Sequence, residues 1–270
     1  MQFTPFISPP QFCASKNIFS YARKKGLDFR EAIISLLDLN IWPEELRRNY
    51  GLLSCAKQAA LLKMPIFIAG CGGLGEEVAA MLVRMGAGQL FLCDHDIFEE
   101  SNLNRQIFCS IKTLGLSKAE VTAKALGEIA PWGEYYAIKQ KLERGNILPL
   151  LGDSAIVIDC LDSVQAKKML EQAVMLKGCA WLHGSVLQFE GFACIKSRAC
   201  DTLGHLYPTD FYESGAGSVL AYVVTGTAAL MCALFRRWLD NPDYSSPVVY
   251  CDYSIPEIDR FQTDHPDYSA

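Results

Sequence analysis

Residues 66–77 read IFIAGCGGLGEE, an apolar run that breaks into glycines and then into carboxylates. The run "PIFIAG" predicts a strand, and Gly73 to Met85 predicts a helix closed by Gly86 and Gly88. Gly70, Gly72 and Gly75 between them fit the spacing G-x-G-x-x-G, and Gly73 leaves the loop barer still. Glycine permits the tight turn, lets backbone N–H groups approach a phosphate, and allows the helix to pack close to the sheet; the helix N-terminus favours negative charge. Asp94 ends the next strand, "QLFLCD", where an acid can accept ribose hydroxyls. To this point a dinucleotide and ATP are served equally well.

Outward from the loop, apolar strands alternate with amphipathic helices. "EYYAIKQ", "SAIVIDC", "AWLHGSVL" and "GFACIKS" read as strands, and Ser117–Ile129 and Ser163–Leu176 as helices. "PVVYCDY" and "IDRFQT" look like a closing pair. This order predicts an α/β fold with a Rossmann-like, mostly parallel sheet and helices on both faces. Residues 1–40 read as a helical extension, with "DFREAIISLLDL" at helical spacing, ahead of a nucleotide-binding domain over 41–270. Residues 198–217 lack periodicity and read as a loop over a site. "SVLAYVVTGTAALMCALF", residues 218–235, carries no charge and touches the lower length of a membrane span; small polar residues interrupt it, and it is expected to be a core helix.

The chain has 270 residues, a net charge of −5 and 11 cysteines. It shows no basic run suited to nucleic acid and no C-x-x-C pair. Scattered free thiols and a start without a signal-peptide pattern predict a cytoplasmic protein with no membrane segment.

The segment "DHDIFEESNLNRQIF", Asp94 to Phe108, separates the two nucleotide readings. It brings Asn102, Asn104, Arg105 and Gln106 towards the ribose end of the loop, and Lys118 begins the following helix. A nicotinamide enzyme has no need of a cation and amides here, whereas a triphosphate must be neutralised before another anion can approach it. Asp159 and Asp162 end the fourth strand at the carboxyl edge of the sheet, where an acid can hold Mg²⁺, although Asp162 could instead cap the next helix.

The segments "GCGGLG", "DHD", "SNLNRQ", "GLSKAE" and "DCLDS", in this order, resemble the ThiF/MoeB/HesA family, relatives of the ubiquitin-activating E1 adenylation domain. The resemblance runs from about Arg47 to Gln262, and "SNLNRQ" is its most specific part. It implies adenylation of a carboxyl group, usually the C-terminal Gly-Gly of a small ubiquitin-like sulfur carrier, with ATP and Mg²⁺. It implies that Gly70, Gly72, Gly73, Gly75, Asp94, Asp96, Asn102, Arg105, Gln106 and Lys118 hold the nucleotide, and that Asp162 orients Mg²⁺ and the attacking acyl group. "RRNYG" matches a stretch whose arginine, here Arg48, reaches the partner subunit's ATP, so a homodimer is implied. Arg48, Arg105, Lys118 and Asp162 are then the catalytic set.

Many members carry zinc on two C-x-x-C pairs; this chain has neither, and no zinc site is expected. Cys200, in the loop, reads as an ordinary thiol, His183 as a satisfied core histidine, and Trp132, Trp181 and Trp238 as packing. Tyr207, Phe211 and Tyr212 could clamp a peptide tail. Three alternatives stay open: a small-molecule or tRNA-base carboxylate as substrate, a non-catalytic nucleotide-binding partner subunit, or NAD-dependent oxidoreduction.

Overall fold

The computed structural model describes residues 11–207 and 217–254. A short N-terminal unit comes first: β1 (Gln11–Cys13), α1 (Ser15–Lys25), α2 (Phe29–Asp38) and β2 (Ile41–Pro43), with β1 and β2 paired in parallel. Asp28 opens α2 with a reciprocal cap, accepting from the Glu31 N–H while the Glu31 carboxylate accepts from its own. Ile18, Ile33, Leu36 and Leu37 turn inwards onto Trp42, Leu46 and Leu62, so the unit shares one apolar core with the rest of the chain. A 3₁₀ turn at Glu44–Asn49 and helix α3 (Cys55–Lys63) lead into the sheet.

The sheet is built from β3 (Pro65–Ala69), α4 (Gly73–Arg84), β4 (Gln89–Cys93), α5 (Lys118–Ile129), β5 (Glu134–Ile138), α6 (Ile147–Leu151), β6 (Ile156–Asp159), α7 (Val164–Lys177), β7 (Ala180–Leu187), β8 (Glu190–Lys196), α8 (Thr202–Leu206), α9 (Ala221–Asp240) and β9 (Val249–Asp252). Its seven strands run in the order β5-β4-β3-β6-β7-β8-β9. The first five are mutually parallel; β8 and β9 are antiparallel to their neighbours. The order reverses between β3 and β6, and ligands in such sheets bind outside the carboxyl ends of the strands at that reversal.

Both faces of the sheet are covered. Along β3, Ile66 and Ile68 face the core beneath α4 and α9, while Phe67 and Ala69 face the core beneath α6, α7 and α8. This two-residue alternation of wholly buried side chains is what a doubly covered parallel strand requires. α9 turns Val223, Val224, Thr227, Ala228, Met231 and Phe235 inwards, and among the described residues no helix is long and apolar enough to cross a membrane. The expected strand "IDRFQT" lies outside the described residues. The sequence reading missed α1, α3, α6, α8 and the β1–β2 pair.

Candidate nucleotide site

The turn between β3 and α4 is forced by its glycines at two positions. Gly70 has φ +90°, and a Cβ there would stand 2.7 Å from the Cys160 carbonyl oxygen. A Cβ on Gly75 would stand 1.9 Å from the Gly70 carbonyl oxygen, so any side chain at that point would push the helix off the strand. Gly72 is the N-cap of α4 and offers no capping side chain, leaving the first N–H groups of the helix to another acceptor.

Three other segments meet this turn. From the end of β4, Asp94 accepts the Cys71 N–H at 2.7 Å with one carboxylate oxygen and the Asp96 N–H at 2.8 Å with the other. It thereby ties the glycine turn to the segment that follows β4. From the excursion over residues 97–117, the Arg105 carbonyl oxygen lies 3.2 Å and the Gln106 Nε2 3.7 Å from where side chains on Gly73 and Gly72 would begin. The excursion is closed at its base by a bridge between Ile97 and Ser117 and by the Lys118 N–H donating to the Asp96 carbonyl at 3.0 Å. From β6, Cys160 lies on Gly70 and Gly75, which brings the Asp162 turn beside the same loop.

The cations and amides sit as follows. Lys118, almost buried at the start of α5, donates to Asp96 Oδ2 at 3.2 Å. Arg105 donates to the Ser101 carbonyl at 2.8 Å and to Asn104 Oδ1 at 2.9 Å, which holds its guanidinium on its own turn. Asn102 is committed within that turn, its Oδ1 accepting the Glu99 N–H. Gln106 is buried, and its Oε1 has no partner among the described residues. Asp162 is exposed and makes no hydrogen bond among them; Ser163, not Asp162, caps α7.

Two buried acids lie beside the glycine turn. Asp159, which ends the strand leading to the Mg²⁺ candidate Asp162, is wholly buried and engaged by Lys167 Nζ at 3.7 Å, His183 Nδ1 at 2.9 Å and the Leu161 N–H at 3.1 Å. Burial opposes its charge, yet Lys167, His183 and the Leu161 amide outweigh it and hold the carboxyl below its usual range. His183 is a core histidine only half satisfied: its Nε2 is buried with no partner among the described residues. Burial first, and Lys167 second, hold the imidazole below its ordinary value. Trp181 stacks on its ring at 5.2 Å, and Tyr207 meets it edge-on at 6.4 Å.

The second acid is Glu76, in the first turn of α4, which sequence reasoning quoted without assigning it a role. It is wholly buried and accepts the Phe108 N–H at 2.9 Å. Its burial comes from the Phe108 segment folding onto α4, which no local sequence signal marks.

Arg48 lies elsewhere. With Glu45, Asn49, Arg84, Ile129 and Trp132 it lines a cavity of about 430 Å³ around the last turn of α4, the opposite end of that helix from Gly72. Asn49 fixes this corner by donating to Gln58 Oε1 at 3.1 Å and to the Met85 carbonyl at 3.0 Å. Cys200 is exposed and contacts Thr202; Phe211 and Tyr212 lie outside the described residues. The one group of three acids or histidines close enough to share an ion, among the described residues, is Asp94, His95 and Asp96.

Residues 46–252 match the model of the ThiF family. The chain is 33% identical over 186 residues to the adenylyltransferase and sulfurtransferase MOCS3 of Drosophila grimshawi, covering 66% of this chain and 41% of that protein. It is 29% identical over 136 residues to the SAMP-activating enzyme E1 of Haloferax volcanii, covering 50% of each. The chain therefore spans half or less of the length of these curated relatives. Among solved structures, E. coli MccB with ATP superposes with a TM-score of 0.59 at 17% identity, over 78% of this chain and 71% of that one. E. coli tRNA N6-threonylcarbamoyladenosine dehydratase, TcdA, in complex with ATP gives 0.59 at 21% identity, over 74% and 93%. At these identities the two structures speak for the fold.

Proposed function

Because the chain belongs to the ThiF family, we propose that it is an ATP-dependent adenylyltransferase whose acyl substrate is the C-terminal Gly-Gly of a small ubiquitin-like sulfur carrier. The observation that carries this reading is the meeting of three chain segments at one glycine turn: Asp94, with Lys118 held close by through Asp96; the Arg105 carbonyl and Gln106 amide; and the Asp162 loop through Cys160. The curated relatives named as adenylyltransferase and as activating enzyme support the chemistry.

In this reading the substrate carboxylate, already ionised at neutral pH, attacks the α-phosphorus in line; an acyl-adenylate forms and pyrophosphate leaves. Both reactants are anions, so the protein's work is placing cations and aligning groups. The open N–H groups at Gly72 and Gly73 face the phosphates, Asp94 holds the ribose, and Asn102, Arg105, Gln106 and Lys118 line the phosphate side. Buried Gln106 Oε1, lacking a partner, fits a site completed by a ligand. Asp162, exposed with an unengaged carboxylate, fits as the residue that would hold Mg²⁺, which supplies charge neutralisation when bound. Arg48, at the far end of α4, is reserved for the nucleotide of a second copy, so the working unit is a homodimer. Residues 1–40 are assigned in this reading to an extension ahead of an adenylation unit assigned to 41–270, α1 and α2 being the extension's described helices, and the free thiols suit the cytoplasm.

ATP–pyrophosphate exchange, run with and without a Gly-Gly-tailed carrier, tests the proposal. Exchange that depends on the carrier is expected, and Arg105→Ala and Asp162→Ala should each abolish it in a folded protein. Mixing Arg48→Ala with Asp162→Ala subunits should recover part of the activity, since one composite site then has every residue. Exchange with a small acid alone would move the substrate elsewhere, and ATP binding without exchange would make the chain a non-catalytic subunit.

A further inference from the structure

We propose that Glu76 is a positioning residue of the nucleotide site: it clamps the Arg105–Gln106 segment onto the glycine helix and takes up a proton as the phosphates of ATP arrive. This inference rests on the ATP-binding reading above and adds to it a residue and a linked proton.

The clamp is geometric. Glu76 follows Gly75, where the helix presses on the strand, and is wholly buried. Its Oε2 accepts the Phe108 N–H at 2.9 Å, the one side-chain bond among the described residues from α4 to the segment 105–108. Phe108 is two residues beyond Gln106, whose amide lies over Gly72. That bond therefore sets how the Arg105 and Gln106 backbone rests on the loop.

The proton follows from the charges around the second oxygen. Glu76 Oε1 is buried with no partner among the described residues. An ionised carboxylate left in that state is costly, whereas the neutral acid keeps Oε2 as the acceptor for Phe108 and removes the charge. The groups that face it are Asp94 from the end of β4, Lys118 from α5, Glu77 from its own helix, and the thiols of Cys71 in the glycine turn and Cys109 beyond Phe108. Lys118 is the only cation of this set and already serves Asp96. Burial, reinforced by Asp94 and Glu77 against the Phe108 amide and Lys118, pushes the Glu76 carboxyl up to about 8. Phosphates at the adjacent helix N-terminus add negative charge and draw a proton from solvent onto Oε1.

Titration calorimetry of ATP on the full chain, in two buffers of different ionisation enthalpy at pH 8, reads the proton directly. Net proton uptake is expected, together with a fall in affinity of roughly three- to tenfold between pH 7 and pH 9. Glu76→Gln, which keeps an acceptor for Phe108 and carries no charge, should bind ATP at pH 7 within about twofold of wild type and lose most of that pH slope. Glu76→Ala, which lacks the clamp, should bind more weakly at every pH. Wild type without proton uptake, a Gln variant that keeps the full slope, or a Gln variant as weak as Ala would each overturn the inference while leaving ATP binding in place. Failure of ATP to bind at any pH would overturn the adenylation reading and this inference with it.

Discussion

Asp159 and Glu76 are both wholly buried carboxyls within a few residues of the same glycine turn, and they are displaced in opposite directions. Asp159 has Lys167, His183 and a backbone amide; Glu76 has one backbone amide and the charge of a lysine that is already bonded to Asp96. Burial is common to both, so it cannot decide the charge. The number and sign of the partners does. The consequences for stability differ in sign as well. A depressed carboxyl such as Asp159 contributes stability above its unfolded value, and that contribution is lost as pH falls through the folded one. A raised carboxyl such as Glu76 does the reverse: between the unfolded value near 4.5 and about 8 the unfolded chain has released a proton that the folded chain keeps, so stability falls as pH rises through that window.

The harshest way to break the contrast is to take away the cation that separates the two sites. Lys167→Met removes the charge and keeps the bulk of a side chain only 2% exposed. Asp159 is then left with His183 and one amide, in the position of Glu76. A loss of about 3–5 kcal/mol is expected, because the remaining charge is buried and uncompensated. Urea denaturation at pH 7 measures it, and the double variant with Asp159→Asn should recover most of the loss. A cost below about 1 kcal/mol would mean that His183 alone can hold the aspartate charged, and the partner argument would fail.

A gentler test works from the other side. Glu76→Gln abolishes the titration and should leave the protein more stable than wild type by about 1–3 kcal/mol at pH 8, with little difference at pH 5. The ceiling is set by the displacement of the carboxyl; the expected gain is smaller because the new amide N–H group also lacks a partner. Melting curves across pH 5–9 for both proteins give the difference directly, and a difference that does not grow with pH would place Glu76 with Asp159 as an ionised group.

How far these sites could be read from sequence divides along the same line. The glycine turn, the acid after β4 and the parallel strands were legible because each is encoded locally, by the short apolar run "PIFIA" or by the spacing of Gly70, Gly72 and Gly75. Even α9, apolar enough to suggest a membrane, was legible as a core helix from its small polar interruptions. The pairing of Asp159 with Lys167 and His183 was not, since it joins the end of β6 to an inward turn of α7 and the middle of β7, and nothing local marks a lysine as buried. Glu76 was hidden for a related reason: a glutamate in the first turn of a helix is ordinarily a solvated residue favoured by the dipole. Only the segment folding back over α4, which the sequence reading had treated as a source of nucleotide ligands, buries it. Short elements such as α6 and α8 were missed because five residues carry too little periodicity to register.

The finest test concerns Lys118, the cation that Glu76 does not fully command. Its side chain is 10% exposed, yet that of its partner, Asp96, is 48% exposed, so the pair lies on the boundary between a buried and a surface bridge. Asp96→Ala keeps the backbone bond from the Lys118 N–H to the carbonyl of residue 96 and deletes only the carboxylate. A change of no more than about 1 kcal/mol is expected, in the range of exposed pairs. A second effect should accompany it. With Asp96 gone, the Lys118 charge is no longer offset by its bonded carboxylate and acts more strongly on Glu76, so the pH at which the Glu76 effect sets in should move to lower values. If the substitution instead costs as much as Lys167→Met, Lys118 is a buried charge that depends on Asp96, and the line between the two sites must be redrawn around the lysines.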